Sequence, residues 1–179
     1  MSTMVQKISC PGFVLFITII LLLPLNCKKQ STSPDPLPPS LANEISISCS
    51  PSSGGKGTTV SVTISIKGNL EEIKAFGLEL TFDANVFKYQ STITGSLTGS
   101  WAFVDGNEVN AGNLVVGGFM GSGTPIAIDS QGSLAIVKFE VIYAGTDDGF
   151  TRQITIKNYI DGITGMKPEP SSTTFTFKK

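Results

Sequence analysis

Apolar and polar residues alternate with a period of two in short runs from Glu44 to the C-terminus. In the run EISISCS the apolar residues Ile45, Ile47 and Cys49 all have the same parity. A period of two puts alternate side chains on one buried face of a β-strand. Six later segments repeat the pattern: TTVSVTISIKG, AFGLELTFD, GNLVVGGFMG, SLAIVKFEVIY, RQITIKNYI and STTFTFKK.

Clusters rich in Gly, Asn, Asp, Ser and Pro separate these runs, among them PSSGGKG, GSGTP and KPEPSS, and such clusters favour turns. No segment after Ser40 sustains the period of 3.6 residues that an amphipathic helix requires. We therefore predict that residues 44–179 form an all-β domain, an antiparallel two-sheet β-sandwich of the jelly-roll type with about nine strands. A domain of this size can bury a sufficient core without disulfides.

The N-terminus carries an uncharged apolar run, FVLFITIILLLPL at residues 13–25. A membrane-spanning helix needs about 20 apolar residues, so this run is too short to cross a bilayer. A short apolar helix behind a weakly charged start is the anatomy of a signal peptide. We expect residues 1–26 to be a signal peptide.

Cys27 follows the apolar run, and two lysines follow Cys27. A cysteine in this place resembles the lipobox of bacterial lipoproteins, in which the signal is cut before the Cys and the sulfur carries a diacylglyceryl group. The usual pattern has Leu and a small residue where this chain has Pro24 and Asn26. The resemblance implies an exported protein with a lipid anchor at Cys27 in the bacterial cell envelope. Because no Asp follows the Cys, the expected location is the outer membrane. Plain secretion with an incidental cysteine is the alternative.

A proline-rich stretch connects this cysteine to the domain. Residues 27–43 include QSTSPDPLPPSLAN, which has few large apolar side chains. Such segments favour extended polyproline II at about 3.1 Å per residue. We therefore expect residues 27–43 to be a lipid-anchored linker that holds the domain away from the bilayer.

Charge and composition exclude several classes of function. The chain has 13 Lys and Arg, 14 Asp and Glu and no His, which gives a formal net charge of -1. Because the cations are scattered, no basic surface for nucleic acid is expected. The absence of His removes the commonest general base and neutral metal ligand. No Gly-x-Ser-x-Gly nucleophile motif is present either. We predict a protein that is not an enzyme and has no cofactor or metal site.

Four segments of the domain carry a family resemblance. GGKGTTVSVTISIKG joins a Gly-rich turn to an alternating strand, IKAFGLELTFDANVFKYQ continues a strand into an Asp-containing loop, TGSL forms a turn, and GSLAIVKFEV is a late strand. Their order is similar to that of the cohesin domain, the β-sandwich module that receives dockerin modules in cellulosomes. The resemblance covers roughly residues 45–177.

The matching residues have structural explanations. Gly77 and Gly95 suit tight backbone paths, Asp83 and Asn85 can hydrogen-bond backbone amides, and Val86–Phe87 can fold down as a plug on the sandwich end. The resemblance therefore concerns the fold before it concerns an activity.

The cohesin resemblance implies a receptor that binds a dockerin-type protein through one exposed sheet face, with calcium belonging to the dockerin. Such a protein could serve an assembly that binds or breaks down polysaccharides. A carbohydrate-binding or adhesive surface lipoprotein on the same fold is the alternative, and a structural envelope lipoprotein is a second alternative.

Three aromatic residues are candidates for contact with a protein or polysaccharide. Trp101 lies in a Gly- and Ser-rich stretch, and Tyr89 and Tyr159 could join it if all three share a face. An alternative for Trp101 is burial, where it would fill one end of the sandwich. The acidic segments DGNEVN at 105–110 and GTDDG at 145–149 are predicted to be turns.

Overall fold

The computed structural model describes residues 42–179, so the predicted signal peptide, Cys27 and the predicted linker up to Leu41 lie outside the described residues. Residues 42–179 contain strands and turns but no helix, and hence no helix long and apolar enough to cross a membrane. The strands are β1 (Glu44–Ser50), β2 (Ser53–Gly54), β3 (Thr59–Lys67), β4 (Ala75–Thr81), β5 (Phe87–Thr94), β6 (Phe103–Asn110), β7 (Asn113–Phe119), β8 (Gln131–Val141), β9 (Thr151–Asp161) and β10 (Ser171–Phe177).

The ten strands form two sheets. The four-stranded sheet has the order β1-β3-β8-β5, and the six-stranded sheet has the order β2-β10-β9-β4-β7-β6. All pairings are antiparallel except the two-residue pairing of β2 with β10, which is parallel. The structure confirms the predicted all-β two-sheet sandwich.

Inward side chains of both sheets make one core. Phe139 on β8 is fully buried, and its ring centroid lies 4.8 Å from that of Phe82 and 6.1 Å from that of Phe87. Phe87 in turn packs edge to face against Phe175 of the other sheet, with the ring centroids 5.5 Å apart. Because aromatic rings bury large apolar areas, this cluster binds the two sheets together.

The loop after β4 closes one end of the sandwich. The backbone N–H of Asn85 donates to Asp83 Oδ1 at 3.0 Å, and Arg152 Nε donates to Asp83 Oδ2 at 2.8 Å. The hydrogen bond from Arg152 holds the pKa of Asp83 below its usual value. Val86 and Phe87 are both buried, which confirms the predicted plug.

The segment DGNEVN at 105–110 is not the predicted turn, because it belongs to β6 and pairs with β7. β6 is an edge strand, and most of its side chains on either face are exposed. It therefore needs no alternation of apolar and polar residues. GTDDG at 145–149 lies outside the strands, and Asp147 there accepts a hydrogen bond from the Tyr143 hydroxyl at 2.8 Å.

Candidate binding face

The outer face of strands β9, β4, β7 and β6, called the patch face below, presents apolar side chains to solvent. Phe103 is 46% exposed, Phe119 51%, Val115 37% and Ile160 52%. Single exposed apolar residues are ordinary, but a group of them on one sheet face marks an interaction surface.

Strand register brings these side chains together. Phe103 of β6 is directly opposite Phe119 of β7, and their rings stack with centroids 5.5 Å apart and planes 19° apart. Phe119 and Val115 lie two residues to either side of Gly117 along β7, so all three face outward. Ile160 projects from β9 on the far side of β4. The patch thus extends across all four strands.

Two glycines, which have no side chains to project from the sheet, lie at the centre of the patch face. Gly77 on β4 pairs with Gly117 on β7 and with Ile160 on β9. A Cβ on Gly77 would come within 2.5 Å of the Ile160 side chain, so the absence of a side chain there lets Ile160 lie across the sheet. A Cβ on Gly117 would meet only the Phe76 carbonyl oxygen, at 3.5 Å. The backbone at Gly117 is therefore open to an approaching partner.

Two shallow hollows lie on either side of Val115. One has a volume of about 220 Å³ and is lined by Glu79, Val109, Asn110, Asn113, Leu114 and Val115. The other has a volume of about 210 Å³ and is lined by Phe103, Asp105, Gly106, Asn107, Val115 and Gly117. Each hollow therefore combines apolar walls with one carboxylate.

Both carboxylates are held in place by hydrogen bonds. Asn158 Nδ2 donates to Glu79 Oε2 at 2.6 Å, and the backbone N–H of Gly106 donates to Asp105 Oδ1 at 2.8 Å. Asn158 can reach Glu79 because it lies at a register shift between β4 and β9 and has a positive φ of 51°. The ion pairs among residues 42–179 join other groups, so neither carboxylate has a cation within 4.0 Å there.

The exposed edge of the six-stranded sheet is blocked at its middle. The Tyr89 hydroxyl donates to the carbonyl oxygen of Gly106 at 3.2 Å, and Asp105 accepts from the N–H of the same glycine. An edge strand invites pairing with another strand only where its backbone groups are free. The arrangement favours contact with the face over addition of a strand at β6.

Trp101 is buried rather than presented to solvent. It is 7% exposed, its Nε1 donates to the carbonyl oxygen of Thr124 at 3.0 Å, and its ring centroid lies 5.8 Å from that of Phe76. A hydrogen-bonded indole against a phenylalanine completes the core at this end of the sandwich. The ring offers no face to a sugar in this arrangement.

The two tyrosines lie elsewhere. Tyr159 is 5% exposed, and its hydroxyl donates to the carbonyl oxygen of Pro168 at 2.6 Å. Burial, with a smaller contribution from the charge of Glu169, raises the pKa of Tyr159 to about 12. Tyr89 is half-buried against Phe139. The three aromatic residues therefore do not come together on one exposed face.

Sequence reasoning missed Phe103, Phe119, Glu79 and Ile160 as surface residues of a site. One signal was present in GNLVVGGFMG, where Val115 and Phe119 have the parity opposite to the buried Leu114. Outward apolar residues that cluster on such a strand indicate a face that is covered or that binds a partner.

A family model described as the cohesin domain matches residues 45–175. No curated protein matches the chain at a significant level. Solved structures of similar fold include a non-cellulosomal cohesin from the archaeon Archaeoglobus fulgidus, at 24% identity and a TM-score of 0.56, with 76% of this chain and 92% of that chain covered.

Two further neighbours come from bacteria. The third cohesin of ScaC from Acetivibrio cellulolyticus, solved in complex with the ScaB dockerin, is 20% identical with a TM-score of 0.58 and coverages of 75% and 99%. The cohesin module of a family 33 glycoside hydrolase from Clostridium perfringens is 17% identical with a TM-score of 0.59 and coverages of 75% and 96%. These likenesses show the fold.

Proposed function

This chain belongs to the cohesin family, and on that premise we propose that it binds a partner protein of the dockerin type through the patch face. The observation that carries the proposal is the group of exposed apolar side chains on that face, which includes the stacked pair Phe103 and Phe119. A solved cohesin of the same fold is bound to a dockerin, which supports the choice of partner.

The patch face has the anatomy of a protein interface. Interface cores are enriched in aromatic residues, while charged and polar residues form the rim. Here Phe103, Phe119 and Val115 provide the apolar centre, and Glu79 and Asp105 stand beside it. A stable complex buries about 800 Å² on each partner, which is an area that a four-stranded face can supply.

The test is calorimetric titration of the full chain, purified in a mild detergent, with dockerin modules encoded in the same genome and with the ScaB dockerin as a further probe. We expect one-to-one binding in the presence of calcium, with an affinity of about micromolar or tighter. The control is a dockerin stripped of calcium, which should lose binding. A genome without dockerin modules, or no binding by any probe to a folded chain, contradicts the proposal.

We also propose that Cys27 is lipidated and anchors the protein in the cell envelope. The apolar run at 13–25 followed by a cysteine supports this, and two or three acyl chains anchor a protein where a single chain does not. Metabolic labelling with a fatty acid should mark the wild type, and Cys27→Ser should lose both the label and membrane association. An unlabelled wild type contradicts lipidation.

A further inference from the structure

We propose that the patch face selects a partner whose apolar anchor is flanked by lysine or arginine, with Glu79 and Asp105 receiving the two cations. This inference rests on the proposed function, because it assumes that the patch face is where a protein binds. It adds the chemistry that would make one partner preferable to another.

The two carboxylates lie on opposite sides of strand β7, which carries Val115 and Phe119. Glu79 is directly opposite Val115 in the register of β4 and β7, while Asp105 is opposite Gly117 in the register of β6 and β7. Adjacent strands lie about 4.8 Å apart and residues rise about 3.3 Å, so two strands and two residues separate these Cα positions by about 12 Å. Seven or eight residues of an α-helix span the same distance at about 1.5 Å per residue.

Each carboxylate is fixed but not neutralised. One oxygen of Glu79 accepts from Asn158, and one oxygen of Asp105 accepts from the N–H of Gly106. The second oxygen of each is left for a donor from outside. Because their positions are set before binding, little side-chain freedom is lost when a cation arrives, and hydrogen bonds between ionised groups are the strong ones.

The surrounding charge is negative on balance. Lys157 is the cross-strand neighbour of Glu79 but makes no ion pair with it. On the patch face, one lysine therefore stands against the two carboxylates of Glu79 and Asp105.

A partner that covers both carboxylates without bringing a cation would remove them from water with only Lys157 nearby to compensate their charge. Burying an unpaired charge is costly, so an acidic or neutral partner is disfavoured while a basic one is not. The apolar centre supplies affinity to any apolar anchor, and the carboxylates discriminate among anchors by their flanking charge.

The test uses two dye-labelled amphipathic peptides with the same leucine face. One peptide carries two lysines seven or eight residues apart that flank the leucine face, and its twin carries glutamates at the same two positions. Fluorescence anisotropy with the full chain in detergent at low salt should show the basic peptide binding about tenfold more tightly than the acidic twin.

Glu79→Gln combined with Asp105→Asn should reduce this ratio to near one. Both replacements keep an oxygen that accepts the hydrogen bond from Asn158 or Gly106, so the fold is retained. The matched control is Glu44→Gln with Glu140→Gln, two exposed or half-exposed positions on the four-stranded sheet that change the net charge equally and should keep the preference.

Equal binding of the two peptides, binding of neither up to about 1 mM, or a preference that survives in the Glu79 and Asp105 variant overturns the inference. A dockerin that binds this variant as it binds the wild type leaves the proposed function standing and removes only the charge selection. If the wild type prefers the basic peptide but binds no dockerin, the charge selection is retained and the dockerin proposal is contradicted.

Discussion

Phe103→Ala and Phe119→Ala are each expected to weaken dockerin binding about thirtyfold or more while the domain stays folded. Central aromatic residues of an interface contribute about 2 kcal/mol or more when truncated, and 1.4 kcal/mol corresponds to a factor of ten. The two rings stack on each other, and about half of each ring's surface is exposed to solvent in the free domain. Truncation should therefore cost little folding stability but remove apolar surface that a bound partner would bury. The measurement is calorimetric titration of each variant.

Leu70→Ala and Ile128→Ala are the matched controls for these variants. Both side chains are 54% exposed but lie in loops outside the patch face. They test whether any exposed apolar residue would have the same effect. Losses as large in the controls as in the phenylalanine variants would show that the patch face is not the binding surface.

Phe139→Ala is expected to lower the free energy of unfolding by about 3–5 kcal/mol, because a buried phenylalanine is replaced by a cavity. Phe139 has no exposed surface and its ring meets those of Phe82, Phe87 and Tyr89. Since small domains are stable by about 5–15 kcal/mol, this single change removes a large share of the total. Urea unfolding followed by circular dichroism measures it.

Phe103→Ala serves as the comparison in the same urea experiment, because its ring is on the surface and its loss should cost little stability. Phe139→Leu should fall between the two, since leucine refills part of the space. A loss below about 1 kcal/mol for Phe139→Ala would contradict the assignment of this ring to the centre of the core.

Much of the fold could be predicted because burial of one sheet face imposes a period of two on the sequence. Ile45 and Ile47 on β1 alternate with serine, and the structure buries both. The loop at Asp83 was also predictable, since an Asp followed by Asn after a strand favours hydrogen bonds to local amides.

Strands β5 and β6 left no such signal. β5 has a register shift between Tyr89 and Ser91, which breaks the alternation, and β6 is exposed on both faces along most of its length. An edge strand needs only its backbone pairing with β7, and that pairing does not appear in the residue types. The segment 105–110 therefore resembled a turn.

The candidate site was harder to predict than the fold. Trp101 was the prominent aromatic residue in the sequence, but its neighbours along the chain do not show that Phe76 and Thr124 enclose it. The phenylalanines that do reach solvent become a site only through the register of β6 and β7. Cross-strand partners depend on tertiary structure, which a local pattern does not contain.

Replacing Gly117 tests binding through the patch face most directly. Gly117 lies at the centre of that face, has an ordinary backbone conformation, and has room for a Cβ, so Gly117→Arg should fold normally and project a long side chain into the interface. Ser61→Arg places the same side chain on the outer face of the four-stranded sheet and is the control.

In calorimetric titration with the dockerin that binds the wild type, Gly117→Arg should show no measurable binding, and Ser61→Arg should bind as the wild type does. Binding that is retained by Gly117→Arg and lost by Ser61→Arg would show that the partner occupies the opposite face of the sandwich.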